Sequence, residues 1–140
     1  MTRQFVDTNV LLYAYDTSAG RKHERAADLV AALGRTRSGV ISVQLLQEFY
    51  VNVTRKVVVP LAPADARERL RVLVRWPLYS PLPDDVVSAS EIAEPAQLSF
   101  WDAMVVHSAA QMGCDLLWSE DLSSGQRIRT VTVADPFTTS

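Results

Sequence analysis

Phe5-Val6-Asp7-Thr8-Asn9-Val10-Leu11-Leu12-Tyr13 is the stretch whose reading decides the fold class. Phe5-Val6 reads as a short buried strand. It runs straight into Asp7-Thr8-Asn9, a trio with strong helix N-cap chemistry because short polar side chains accept hydrogen bonds from the first free backbone N–H groups. Val10 to Tyr13 then predicts a short helix.

Working outward, the alternation of strand and helix continues. Between Arg21 and Leu33, Ala26, Leu29, Val30 and Leu33 fall at the i, i+3, i+4, i+7 spacing of an amphipathic helix. Gly39-Val40-Ile41 predicts a second strand, after which Ser42 caps a helix with Leu46, Phe49, Tyr50 and Val53 on one face. Asp65 to Arg75 predicts another helix with Ala66, Leu70, Leu73 and Val74 inward, and a short helix around Asp84 to Ala93 stops before Pro95. Pro60 to Pro63 and Trp76 to Pro83 read as punctuation between elements. Ser99 caps a helix over Phe100 to Met112 that ends at Gly113. Asp115 to Ser119 and Thr130 to Val133 complete the strands. Strands separated by helices indicate an α/β fold with a mainly parallel sheet.

Composition narrows the class. A chain of 140 residues suits one domain, taken here as 1–140, and 48% hydrophobic with 21% charged residues suits a packed core under a polar surface. Disordered, fibrous and disulfide-scaffold classes are excluded on that balance. Lone Cys114 has no partner for an internal disulfide, which predicts a reducing compartment. No apolar run approaches the roughly 18–20 residues of a membrane span, and Asp7 interrupts any signal-peptide pattern. The expectation is a soluble cytoplasmic domain with no membrane partner. The net charge of −2 gives no chain-wide nucleic-acid footprint, although twelve of the fourteen basic residues are Arg and only Lys22 and Lys56 are Lys.

The acids carry the chemistry. Asp7 closes the first strand, and Asp121 (or Glu120) follows the strand ending near Ser119, so both emerge at one edge of a parallel sheet, where ligands bind. Glu48 lies among the apolar positions of its helix, and Asp102 sits in the first turn of a helix that is apolar almost all round, Trp101 included. A desolvated carboxylate is costly unless paired, and no Lys or Arg stands at matching positions. Singly, each acid reads as a cap, a solvated position or a turn residue. Jointly they call for a divalent cation with hard oxygen ligands, Mg²⁺ or Mn²⁺.

These residues resemble a known family. Phe5 to Tyr13, Gln47-Glu48-Phe49-Tyr50, Phe100-Trp101-Asp102-Ala103 and Ser119-Glu120-Asp121-Leu122 are similar to the four motifs of PIN-domain ribonucleases, most closely the VapC-type toxins of bacterial toxin–antitoxin modules. The resemblance spans Phe5 to Asp135-Pro136-Phe137. It implies a three-layer sandwich with a central mainly parallel sheet flanked by helices. It also implies a metal-dependent endoribonuclease in which Asp7, Glu48, Asp102 and Asp121 are both the catalytic and the metal-binding acids. Thr8 and Ser119 match small hydroxyl positions near the metal waters, and the family register favours Asp121 over Glu120. The implied cofactor is Mg²⁺ (or Mn²⁺). The implied partners are an RNA substrate, a cognate VapB-type antitoxin and a second copy in a homodimer.

Competing classes fit less well. A receiver-type phospho-acceptor module needs paired acids after its first strand and a late Lys, and a haloacid-dehalogenase-like phosphatase needs an Asp where Asn9 stands. A catalytically inactive PIN fold acting as a binding module is disfavoured by the presence of all four acids. His23 and His107 read as structural or surface residues and Cys114 as a buried small residue, and Trp101 reads as core in preference to a base-stacking platform. Arg67, Arg71 and Arg75 form an i, i+4, i+8 stripe, read evenly as a solvated face or as a contact to RNA phosphates.

Overall fold

The computed structural model describes residues 2–138; Met1, Thr139 and Ser140, counted within the expected domain, lie outside the described residues. Its strands are β1 Arg3–Val6, β2 Gly39–Ser42, β3 Leu78–Tyr79, β4 Cys114–Trp118, β5 Arg127–Ile128 and β6 Val131–Ala134. Its helices are α1 Thr8–Tyr15, α2 Arg21–Thr36, α3 Val43–Arg55, α4 Pro63–Leu73, α5 Pro83–Ala96 and α6 Phe100–Gln111, with a 3₁₀ turn at Thr17–Ala19. The sheet order is β3-β2-β1-β4-β6-β5, parallel throughout except for the β5–β6 pair. That order differs from the 2-1-3-4-5 sheet of receiver-type modules, which removes the phospho-acceptor alternative.

The order also decides where a site can lie. From β1 the chain moves outward through β2 to β3, then returns across the sheet to pair β4 with the other side of β1. Right-handed crossovers in the two directions put α1–α4 on one face and α5–α6 on the other. The packing follows: α1 against α2 and α3, α3 against α4, and α5 against α6, which lies over β4. The direction reverses between β1 and β4, and the crevice outside the carboxyl ends of those strands is where open α/β sheets bind ligands. Phe5, Val6, Val40, Ile41 and Leu117 are fully buried at the centre of the core between these layers.

Several expectations are corrected. The Trp76–Pro83 stretch contains β3, because Leu78 and Tyr79 pair with Ile41 and Ser42 at the sheet edge; two residues carry no alternation to read. β5 was likewise invisible, and it returns to β6 through Arg129, whose φ is +58°. α5 runs past Pro95 to Ala96. A proline so near a helix end removes one backbone bond in the last turn, and the packing of Ala89 and Ile92 outweighs it. Val74 falls after α4 and is 50% exposed. Trp101 is 62% exposed, although Ala103 to Ala109 behind it are buried. The first turn of α6 projects beyond the layer that covers the rest of the helix.

His107 is structural, as expected, through a buried pair. Its Nε2 lies 2.7 Å from Asp85 Oδ1, while Asp85 Oδ2 accepts the Leu82 N–H at 2.6 Å. The His107 and Tyr79 hydrogen bonds and the Leu82 N–H hold the Asp85 carboxyl at about 2, below its usual 3.8. The stability this contributes is present above about pH 4 and is lost as pH falls toward 2.

Close packing at the start of β2 yields a paired prediction. A Cβ on Gly39 would collide with the Trp76 ring, whereas one on Gly34, inside α2, would stand 3.9 Å from the same ring. Gly39→Ala should lower stability by about 1–3 kcal/mol through overpacking. Gly34→Ala should raise it by about 0.5–1 kcal/mol. Urea unfolding midpoints of the two variants check the opposite signs.

Candidate metal centre

Strand register builds the site. Val6 of β1 pairs with Trp118 of β4, and the ladder continues one step as the Asp7 N–H donates to the Trp118 carbonyl at 2.9 Å. Asp7 and Ser119 therefore leave the sheet side by side, and Ser119 Oγ donates to Asp7 Oδ2 at 2.8 Å. Asp7 also caps α1, its Oδ1 accepting the Thr8 N–H at 2.8 Å. Thr8, one residue after Asp7, and Asp121, two residues after Ser119, extend the arrangement. Thr8 Oγ1 donates to Glu48 Oε1 on α3 at 2.7 Å, and the Asp121 N–H donates to Ser119 Oγ at 3.2 Å.

Asp7, Glu48, Asp102 and Asp121 all line one open cavity of about 280 Å³, together with Asn9, Gln44, Asn52 and Trp101 among others. No Lys, Arg or His is among its lining residues. Asp7 is only 5% exposed. Burial pushes its carboxyl up from 3.8 to about 6, against the lowering effect of the Ser119 and Thr8 hydrogen bonds, with Asp102 and Glu48 adding repulsion. Burial, and then the charge of Asp121, raises Asp102 as well, against the lowering bond to Ser99. Four hard carboxylates around a cavity without a cation are a donor set that fits Mg²⁺ or Mn²⁺. Among the described residues no three His, Cys, Asp or Glu side chains are gathered as a ready-made cage. Mg²⁺ suits such an open arrangement because it keeps several of its waters.

Neighbouring residues separate sharply at the fourth motif. Asp121 faces the cavity, while Glu120 accepts the Tyr13 hydroxyl at 3.1 Å and pairs with Lys22. Asn9 is the member that sequence reading undervalued. Its Nδ2 donates to Asp121 Oδ2 at 3.0 Å and approaches Asp7 Oδ2 at 3.5 Å, and its Oδ1 accepts the Glu120 N–H at 3.1 Å. One amide thus ties together the acids that follow β1 and β4. Its place two residues after Asp7, at the start of a helix, was the available signal. Gln44 and Asn52, one turn before and after Glu48 on α3, were also missed; their i−4 and i+4 spacing from Glu48 puts all three on one face.

Other candidates lie elsewhere. Arg67 and Arg71 are exposed on α4, Arg71 paired with Glu68, and Arg75 borders a separate cavity with Arg37 and Gly39. Gly39 begins β2, so that cavity is at the strand edge opposite the acids. His23 Nδ1 sits 2.9 Å from the Tyr13 carbonyl. Cys114 is buried, which pushes its thiol up to about 12 and leaves it without nucleophilic character.

The cost of burying Asp7 is measurable. Its native carboxyl binds a proton more tightly than the unfolded one, so this group's contribution to stability falls as pH rises from about 4 through about 6. The rise from 3.8 to about 6 corresponds to about 3 kcal/mol of destabilisation at neutral pH. Asp7→Asn removes the charge and weakens the bonds to Ser119 and Thr8. It should stabilise the metal-free protein by about 1–2 kcal/mol at pH 7.5, with the gain vanishing below pH 4. Thermal melts across pH in a chelator check both the sign and the window; a less stable variant at pH 7.5 contradicts it.

The PIN domain family model matches residues 5–123. No curated protein matches the chain. Solved structures with a similar fold include the VapC20 toxin of Mycobacterium tuberculosis, described as cleaving the sarcin–ricin loop. It is 17% identical with TM-score 0.64, over 81% of this chain and 86% of that one. A DNA-bound VapBC from Salmonella typhimurium is 18% identical with TM-score 0.67, over 97% and 99%. A toxin–antitoxin complex from Klebsiella pneumoniae is 18% identical with TM-score 0.68, over 96% and 98%.

Proposed function

Because the chain belongs to the PIN-domain family, we propose that it is a metal-dependent endoribonuclease serving as the toxin of a VapC-type toxin–antitoxin pair. The observation that carries this reading is the cavity lined by Asp7, Glu48, Asp102 and Asp121 with no basic residue in its walls. Those four acids would hold Mg²⁺ or Mn²⁺, with Asp7 and Asp102 the nearest to needing it because burial raises both. An ion held there would supply an activated water and would offset charge on the phosphodiester.

The chain's own groups do the rest. Ser119 Oγ and the Thr8 N–H hold the two oxygens of Asp7, and Thr8 Oγ1 holds one oxygen of Glu48. The Gln44 amide approaches the other Glu48 oxygen at 3.4 Å. Asn9 holds Asp121. Asp7, Glu48 and Asp121 therefore have their directions set by neutral donors, which leaves their negative charge available to a cation. In this reading water is the nucleophile and no covalent enzyme intermediate is involved.

The partners follow from the same site. An acidic cavity attracts a basic side chain, and a VapB-type antitoxin carrying Arg or Lys would block it; the solved complexes of similar fold pair toxin with antitoxin. A homodimer is the commonest symmetric assembly and is part of this reading. Among the described residues no helix is long and apolar enough to cross a membrane.

Cleavage of single-stranded RNA, assayed with Mg²⁺, with Mn²⁺ and with a chelator, tests the reading. Asp7→Asn and Asp102→Asn should each lose at least about 100-fold in rate while remaining folded, a loss of about 3 kcal/mol in transition-state stabilisation. Wild-type cleavage by either variant overturns it. At the fourth motif, Asp121→Ala should lose far more activity than Glu120→Ala, and the reverse ranking would put the site one residue earlier.

A further inference from the structure

Trp101 is not required by the metal centre, yet it stands at its rim. It is 62% exposed, the second residue of α6 and the immediate neighbour of Asp102. Its ring packs edge-on against Phe100, with centroids 5.1 Å apart and planes at 82°. Its backbone carbonyl accepts the Gln44 amide at 3.3 Å, and the same amide group approaches Glu48 Oε2 at 3.4 Å. The backbone of Trp101 and the Glu48 carboxylate are thus tied to one buried side chain. Beyond Trp101 opens an apolar groove of about 630 Å³, whose walls include Pro81, Leu82, Val86, Phe100 and Met104. Gln44 and Trp101 line both the groove and the acidic cavity, so the two adjoin.

The chemistry of the two halves differs in a way one substrate would match. The cavity is anionic and suits a cation with a phosphate; the groove carries no Lys, Arg, Asp or Glu and suits something flat, uncharged and polarisable. A nucleotide of single-stranded RNA has both parts. Aromatic faces bind successive bases of single strands by stacking, with little dependence on which base is presented. We propose that Trp101 is the stacking platform for the nucleobase flanking the scissile phosphate, and that the groove behind it receives that base. The proposal rests on the ribonuclease reading above and adds how the substrate is seated: an unpaired base, splayed out of any helix, beside the bond that is cut. The edge-on contact with Phe100 restrains the exposed ring, and Gln44 ties down the backbone that carries it, which lowers the ordering cost of binding.

The test uses the full-length protein and a short single-stranded RNA that it cuts, together with versions abasic on either side of the cleaved bond. Trp101→Ala should lower kcat/KM about tenfold or more, and Trp101→Phe should recover most of it. Removing the flanking base should cost the wild type a similar factor and cost Trp101→Ala little further. In a chelator, where no cleavage occurs, the same RNA should quench tryptophan emission of the wild type and not of Trp101→Phe. Unchanged kcat/KM in Trp101→Ala, or losses from the two changes that simply multiply, overturns the proposal. So does a loss accompanied by a change in molecular mass or in antitoxin binding alone, which would make the face an interface for protein. If the wild type cuts no RNA with either ion, the ribonuclease reading itself fails, a result distinct from wild-type cleavage that ignores Trp101.

Discussion

A carboxylate is buried where the strand order reverses, between parallel β1 and β4, and the site is built around that cost. Asp7 ends β1 with its N–H still in the ladder to Trp118, so its side chain has nowhere to go but the crevice between β1 and β4. It is desolvated there and keeps only neutral donors as direct partners, Ser119, the Thr8 N–H and, at longer range, the Asn9 amide. A Lys or Arg in contact would neutralise it and close the site. Leaving the charge uncompensated costs folding stability, a trade common at functional sites.

The surrounding residues make this tolerable by short, local links. Three of the four segments that reach the crevice contribute an acid and something that restrains an acid, while α6 contributes Asp102. The α1 start gives Asp7, Thr8 and Asn9; the α3 face gives Gln44 and Glu48; the turn after β4 gives Ser119 and Asp121. Thr8 reaches across to Glu48, and Asn9 reaches across to Asp121. The acids are therefore spread around an open cavity and oriented by hydroxyls and amides. Such an arrangement leaves room for a hydrated ion and for a phosphate between them.

Away from this edge the molecule spends its polar groups on architecture. The buried Asp85–His107 pair joins α5 to α6, and the tight approach of Gly39 to Trp76 joins β2 to the segment after α4. The basic residues of α4 lie at a different place from the acids, with Arg71 engaged by Glu68 and Arg75 near the amino end of β2. The described surface thus separates an anionic crevice from an arginine-bearing helix.

Much of the fold was legible in the amino-acid sequence, because its long elements advertise themselves by period. α2, α3 and α6 were found from apolar spacing and from caps, and β1, β2, β4 and β6 from apolar runs bounded by polar residues. The two-residue strands β3 and β5 were not, since a strand that short exists only through its partner. Pro95 and Val74 misled for a related reason: whether a helix continues through a proline, or ends one residue early, is decided by what packs against it. The acids at strand ends were readable by themselves, because a parallel sheet sends every such residue to one edge. Their grouping around one cavity, the bridging role of Asn9, the opposite fates of Glu120 and Asp121, and the exposure of Trp101 were decided only by the tertiary structure. Local pattern reports which face of an element is apolar. Which other element covers that face, and how far along it the cover extends, is set by contacts between residues distant in the chain.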